Sequence, residues 1–333
     1  MSRVVQVTGR GGPEVLEVVD RPAPEPRAGQ VRIAVAAAGV AYGDVVRRKG
    51  LLVVRHPFTP GYDVAGVIDA VGDGGDATLV GMPAAVLMPR AGIGGYAEHV
   101  CVPAERIVRL PAGLDPAIAV CLGLNYITAH QLIHRIVGLH AGQRVLIHGA
   151  AGGVGTALVD IGSRAGLVLY GTASAGKHAL LHERGVTAID YRSEDFVARI
   201  AELTGDGVDA CFDPIGGEHL HRSYRTLRAG GTLVAFGVSG DVDAGLLGLL
   251  SGTATMARLR LRRDGRHLRL YLITLTPGSS WQHCRDDWTT LLAQHAAGEL
   301  HPIVGARIPL ADVRRAHEMI DAAAVAGKIV LTP

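Results

Sequence analysis

The chain has 333 residues, of which 48% are apolar, with 33 basic residues against 31 acidic ones. At roughly 150 residues per domain this length points to about two domains, and the near-balance of charge argues against a nucleic-acid partner. Four scattered cysteines, none in a C-x-x-C pair, exclude a disulfide framework and a cysteine-knuckle zinc site. No apolar run is expected to reach ~18 residues without a charge, so no membrane span or stable membrane insertion is expected. The start has no signal-peptide core, and the expected location is cytoplasmic. Glycine is the outlier at 45 residues, roughly double its usual ~7% share, with no collagen period.

In chain order, residues 1 to ~120 read as short strands and turns. Alternating or β-branched runs predict strands at Val4–Val7, Val15–Val19, Val31–Ala37, Val64–Val71, Ala84–Met88 and Glu98–Val102. The proline-rich run Arg21–Pro26 cannot be a central strand or a helix interior. From Asp115 strands and helices alternate. Strands are predicted at Arg144–His148, Leu167–Thr172, Thr187–Tyr191, Val208–Asp213 and Thr232–Gly237. Helices are predicted at Val154–Ala165, Lys177–Arg184, Glu194–Thr204 and Gly217–Leu227. Such alternation of buried strands with helices marks a parallel α/β sheet. After Pro277 come a helix (Asp286–Ala297), a strand (Val304–Ile308), a helix (Ala311–Ala323) and a last strand (Lys328–Leu331). The strand texture of this tail matches the front of the chain, which suggests that it folds back there.

The sharpest motif runs from Val145 to Gly155 and reads G-x-x-G-x-x-G at Gly149, Gly152 and Gly155. It follows a strand, opens a helix and heads a βα series. Gly149 and Gly152 allow a sharp turn with backbone close to a diphosphate, and Gly155 allows the helix to pack on the sheet. The helix N-terminus, at Gly153 and Val154, then offers N–H groups and a positive dipole end. A purely structural glycine turn is the alternative. An NAD site calls for a carboxylate about 20 residues on. Here the second strand is followed by Ser174 and Lys177, with Tyr191 and Arg192 after the third. These groups suit a 2′-phosphate and favour NADP(H), although Lys177 also reads as a solvated first-turn residue.

The same turn, His148–Gly155 (HGAAGGVG), and six further stretches carry a family resemblance: Gly11–Leu16 (GGPEVL), His56–Gly66 (HPFTPGYDVAG), Gly94–Glu98 (GGYAE), Leu124–Ala129 (LNYITA), Ala316–Glu318 (AHE) and Gly327–Leu331 (GKIVL). Together they resemble the medium-chain dehydrogenase/reductase superfamily in its zinc-independent quinone oxidoreductase branch. The resemblance implies an α/β fold with two domains. One is a Rossmann doubly wound parallel sheet over 121–274 that binds NADP(H). The other is a GroES-like β-barrel catalytic domain, discontinuous over 1–120 and 275–333. It implies that Thr128 contacts the cofactor near the nicotinamide, that Gly149, Ala150, Gly152, Gly153, Val154 and Gly155 hold the diphosphate, that Ser174, Lys177 and Tyr191 surround the 2′-phosphate, and that Phe236 and Gly237 lie beside the nicotinamide. It also implies a homodimer through Leu268–Thr274.

Zinc-dependent relatives hold a catalytic metal with Cys, His and a Cys, Asp or Glu, and a second zinc with four clustered cysteines; the stretch where the first ligand would fall, Gly39–Asp44, has no cysteine, so no metal site is expected. Without zinc to polarise a carbonyl or acidify an alcohol, the implied reaction is NADPH-dependent hydride transfer to a small quinone or α,β-unsaturated carbonyl. The chain departs from the family pattern at Ala41, where many members have Asn. Tyr42, Tyr62 and Asp44 are the candidates to replace that function, a tyrosine as proton donor to an enolate. Their alternatives are ring packing for the tyrosines and a local cap for Asp44. Two rival readings stay open: an enoyl reductase acting on a polyketide-like intermediate, and a cofactor-binding protein without turnover. The arginine-rich segment 258–269 reads as a solvated loop beside the substrate cleft or dimer edge, with a nucleic-acid or anionic-membrane patch as its alternative.

Overall fold

The computed structural model describes residues 1–52, 54–88, 93–240, 245–273 and 280–333. The chain divides into two compact units, one of residues 1–127 with 281–333 and one of residues 128–280. The expected boundary at 120/121 thus falls inside the first unit. The other, at 274/275, lies outside the described residues.

In the first unit β1 (Ser2–Val7) pairs antiparallel with β2 (Leu16–Arg21). The remaining strands form one sheet in the order β14-β15-β3-β4-β5-β7, with β6 also on β3. These are β3 (Gln30–Gly39), β4 (Asp63–Val71), β5 (Pro83–Leu87), β6 (His99–Pro103), β7 (Val108–Arg109), β14 (Val304–Pro309) and β15 (Lys328–Thr332). Strand β3 shows why this sequence makes a sheet. Val31, Ile33, Val35 and Ala37 alternate with more exposed neighbours and point into the core, as a period of two requires. Strand β15 lies between β14 and β3, so the tail completes the sheet begun near the front. Helix α1 (Tyr42–Arg48) follows β3, α2 (Pro116–Val120) packs on β3 and β4, and α9 (Trp281–Ala296) and α10 (Val313–Asp321) complete the unit.

The second unit is a six-stranded, wholly parallel sheet in the order β10-β9-β8-β11-β12-β13. Its strands are β8 (Arg144–His148), β9 (Val168–Ala173), β10 (Thr187–Asp190), β11 (Val208–Asp213), β12 (Leu227–Ala235) and β13 (His267–Leu270). Between them run α4 (Gly153–Arg164), α5 (His178–His182), α6 (Phe196–Thr204), α7 (His219–Arg225) and α8 (Gly245–Arg260). From β8 the chain builds outward to β10, then returns to the other side of β8 and builds outward to β13. The reversal creates a crevice at the carboxyl ends of β8 and β11, the usual ligand position in such sheets.

Three expectations are corrected. The strand expected to open at Thr232 opens at Leu227, because Gly230 takes φ +78° and lets residues 228–231 bulge between two paired stretches. The edge strand expected over Leu268–Thr274 spans His267–Leu270, and Thr274 lies outside the described residues. An apolar stretch long enough to cross a membrane does exist. The helix Pro116–Val137 has 22 residues and a mean hydropathy of 1.3. It holds no Asp, Glu, Lys or Arg before Arg135. Of its most apolar window 83% is buried inside the protein, the setting of a core helix.

Candidate functional site

In the second unit the glycine motif forms the turn from β8 into α4. Gly149 adopts φ +64°, a left-handed conformation that favours glycine, and Gly152 N–H donates to its carbonyl at 2.8 Å. A Cβ on Gly155 would lie 2.1 Å from the Gly149 carbonyl oxygen and 2.7 Å from the Ala150 carbonyl carbon. That position therefore admits only glycine while the turn keeps its shape. Gly152 caps α4 in extended conformation without a side-chain bond. The first-turn N–H groups of Gly153, Val154 and Gly155 therefore have no intrahelical acceptor. Buried Ala150 closes the turn against Gly171, whose own Cβ would meet the Ala150 methyl at 2.6 Å.

One strand over, β9 ends at Ala173 and is followed by Ser174 and the turn that carries Lys177, whose N–H donates to the Ser174 carbonyl at 2.9 Å. The register pairs Asp190 with Ala173, which sets Ser174 next to exposed Tyr191. The Arg192 guanidinium lies 5.7 Å from the Tyr191 ring centroid. Burial pulls the Lys177 ammonium below its ordinary range, and repulsion from Arg192 adds to this. Two cations, a hydroxyl and an aromatic ring thus gather at the ends of β9 and β10. The Asp190 carboxylate turns away and accepts from Arg192 N–H and the Ser193 hydroxyl.

On the other flank of the crevice, Phe236 N–H donates to the Asp213 carbonyl at 2.9 Å. A Cβ on Gly237 would lie 2.4 Å from the Pro214 carbonyl oxygen, so the ends of β11 and β12 are held in close contact. Thr128 is buried in α3 (Tyr126–His130).

Sequence reasoning missed a polar cluster beneath the turn. His148 is buried, its Nδ1 3.1 Å from the Thr172 hydroxyl and its Nε2 3.1 Å from the Ser223 hydroxyl. Ser223 donates to Asp213 at 2.6 Å, and Asp213 also accepts from Ile215 N–H, Gly216 N–H and His219 Nδ1. Burial holds His148 neutral, its pKa down to about 3. Burial pushes the Asp213 carboxyl up, and the hydrogen bonds from His219 and Ser223 together with the neighbouring imidazoles outweigh it and bring it down to about 2. Among the described residues His148, Asp213 and His219 are the one group with a metal-ligand arrangement. The Ser223 hydroxyl sits within 3.2 Å of all three, so the cluster closes on itself by hydrogen bonds. Its members are 75 residues apart in sequence, and no spacing rule signals them.

In the first unit, Ala41 leads into α1 and Tyr42 is that helix's first residue. Of the two readings of Asp44, an acid or a local cap, the geometry favours the cap. Its carboxylate is wholly buried and accepts from Ala41 N–H at 3.0 Å, Gly61 N–H at 3.0 Å and the Tyr96 hydroxyl at 2.9 Å, which leaves it no path to a substrate. Burial raises its pKa to about 6 against these hydrogen bonds. Its role is to bind the β3–α1 turn to the loop before β4. That loop presents Tyr62, half-buried, with the Arg47 guanidinium 4.7 Å from its ring centroid and hydrogen-bonded to its hydroxyl. Behind it Asp63 pairs with Lys328 at 2.9 Å, both buried.

Comparison with known proteins gives two family matches, "Alcohol dehydrogenase GroES-like domain" over residues 27–112 and "Zinc-binding dehydrogenase" over residues 185–331. The quinone oxidoreductase of Homo sapiens is 31% identical, over 99% of this chain and 98% of its own. The synaptic vesicle membrane protein VAT-1 homolog of Rattus norvegicus is 32% identical, over 99% of this chain and 84% of its own. Among solved structures, the mycobacterial protein Rv1454c complexed with NADPH superposes with a TM-score of 0.84 at 30% identity, each chain covered in full.

Proposed function

Because the chain belongs to the medium-chain dehydrogenase/reductase superfamily, in its quinone oxidoreductase branch, we propose that this NADPH-dependent oxidoreductase reduces quinones or α,β-unsaturated carbonyls without zinc. The observation that carries the reading is the pair of binding features on one sheet edge. The Gly149–Gly155 turn offers N–H groups to a diphosphate, and the Ser174, Lys177, Tyr191 and Arg192 group offers cations to a 2′-phosphate. Both fit NADPH, and no carboxylate in the described ends of β9 and β10 is turned to a ribose 2′-hydroxyl. When bound, NADPH supplies the hydride. Thr128, Phe236 and Gly237 are assigned to its nicotinamide end.

Zinc independence is supported by the donor set. The turn Ala41–Asp44 has no thiol or imidazole, and its one carboxylate is already spent on three hydrogen bonds. The chain's own contribution to chemistry is then a proton. Tyr62 is the better placed donor of the two tyrosines, because its hydroxyl is held by a cation. The domain division proposed is 1–127 with 281–333 for the catalytic domain and 128–280 for the cofactor domain. A homodimer paired along β13 is supported by its place at the sheet edge and by exposed Leu270.

The test is NADPH oxidation with a panel of 1,4-naphthoquinone, but-3-en-2-one and a crotonyl thioester. Turnover of the first two supports the reading, and turnover of the thioester alone selects the enoyl reductase. NADPH binding without oxidation of any of the three overturns it in favour of a binding protein.

A further inference from the structure

We infer that Arg47 is a positioning residue for Tyr62, fixing the phenol as an oriented proton donor to the oxygen-stabilised carbanion that hydride addition creates. The inference rests on the proton-donor reading of Tyr62 and deepens it.

Arginine has only donors, so in the bond between Arg47 Nη1 and the Tyr62 hydroxyl the phenol oxygen must accept. The phenol's single proton is therefore not used in that bond. Among the described residues no other group hydrogen-bonds this hydroxyl, so the proton is free to point at a ligand. The guanidinium is fixed as well. It stacks on the Tyr62 ring and reaches back to the Gly43 carbonyl, and its side chain is nearly buried. Gly43 makes room for this. A Cβ there would lie 2.3 Å from the Tyr62 hydroxyl oxygen, so only glycine leaves the phenol where Arg47 holds it.

The electrostatics agree with the geometry. Burial raises the pKa of Tyr62, Arg47 works against this, and Asp44 adds to it. Asp44 thus helps keep the phenol protonated before reaction, and Arg47 stabilises the phenolate afterwards. In the step itself the Tyr62 O–H bond breaks and the proton passes to the α-carbon of the enolate, or to the oxygen of a hydroquinone anion. The phenolate keeps its bond to Arg47 until solvent returns a proton. An arginine stays charged throughout this cycle.

Arg47→Met, Arg47→Lys, Tyr62→Phe and the Met/Phe double variant test the inference. The first measurement needs no substrate: NMR titration of the protein labelled at tyrosine Cζ, with Tyr62 assigned by its loss in Tyr62→Phe. Arg47→Met is expected to move the Tyr62 titration up by about one pH unit or more, the order of effect of an adjacent charge, and Arg47→Lys to restore part of it. An unmoved titration overturns the inference. In turnover of but-3-en-2-one, Arg47→Met is expected to lower kcat by roughly 100-fold, the scale of general acid catalysis, with the KM for NADPH unchanged. The double variant is expected to match Tyr62→Phe within about twofold, because residues acting as a unit are not additive. Losses that multiply overturn the inference. If Tyr62→Phe keeps wild-type kcat, the proton-donor reading itself fails, and the titration still decides what Arg47 does to the phenol.

Discussion

Replacing Gly155 with alanine tests the phosphate turn most directly. The new methyl would stand 2.1 Å from the Gly149 carbonyl oxygen and within 2.8 Å of two Ala150 backbone atoms. Carbon atoms in proteins essentially never approach closer than 3.0 Å in this way, so the turn or the start of α4 must move by about 1 Å. No side chain can rotate to relieve the clash, because every partner is backbone. Overpacking of this kind costs about 1–3 kcal/mol, and at about 2–4 °C per kcal/mol the melting point should fall by roughly 2–12 °C. The same shift takes the first N–H groups of α4 away from the diphosphate. NADPH affinity, read by quenching of the two tryptophans or by calorimetry, should fall at least about tenfold, as for one lost charge-assisted hydrogen bond. Gly152→Ala is the control. Its Cβ would lie 3.2 Å from the same oxygen, a contact that needs only a few tenths of an ångström of give, so its loss should be the smaller. If Gly155→Ala melts and binds NADPH like the wild type, the geometry assigned to the turn is wrong.

Lys177→Ala should weaken NADPH binding by about 1–3 kcal/mol, as for a charge-assisted bond, and leave NADH binding nearly unchanged; equal losses would remove the 2′-phosphate assignment. Acid should destabilise the fold. The buried His148 and His317 both have pKa values lowered from 6.5 to about 3 by burial, so the unfolded chain binds more protons below pH 6.5 and stability is lost as pH falls. Asp44, raised to about 6 by burial, acts the other way between about pH 4 and 6 and offsets part of this. Urea unfolding should show a net loss of about 2–3 kcal/mol between pH 7.5 and 5, reduced in His148→Gln; a flat profile would contradict the buried neutral imidazoles. Leu270→Glu together with Leu272→Glu, both exposed on or just after β13, should give a monomer in analytical ultracentrifugation, and an unaltered dimer would place the contact elsewhere.

The βα alternation and the glycine turn were legible in the sequence because both are local. A strand run, a turn and a helix face each lie within a dozen residues. The bulge at Gly230–Gly231 hid the true start of β12, since two adjacent glycines read as a turn between elements rather than an irregularity inside one. Arg47 carried no signal at all. It lies on α1, and its significance comes from Tyr62, 15 residues on, across a turn held in place by Asp44. The same holds for Ser223, which joins His148 and Asp213 only after two strands and a helix have been set side by side. Asp44 read both as an acid and as a local cap, because a sequence does not tell which carboxylates become buried under backbone donors such as Ala41 N–H and Gly61 N–H.

The pairing of Asp63 with Lys328 has a consequence for synthesis. Strand β15 fills the place between β14 and β3, so on the ribosome the first unit waits with an open sheet edge and an unmatched carboxylate while some 260 further residues are made. The second unit, residues 128–280, has all its strands in hand before then. Domains generally fold in order of emergence, but here the half of the chain that is translated first is completed last. Exposure of the β3 edge in that interval is the point at which a chaperone, or a second nascent chain, can act on this protein.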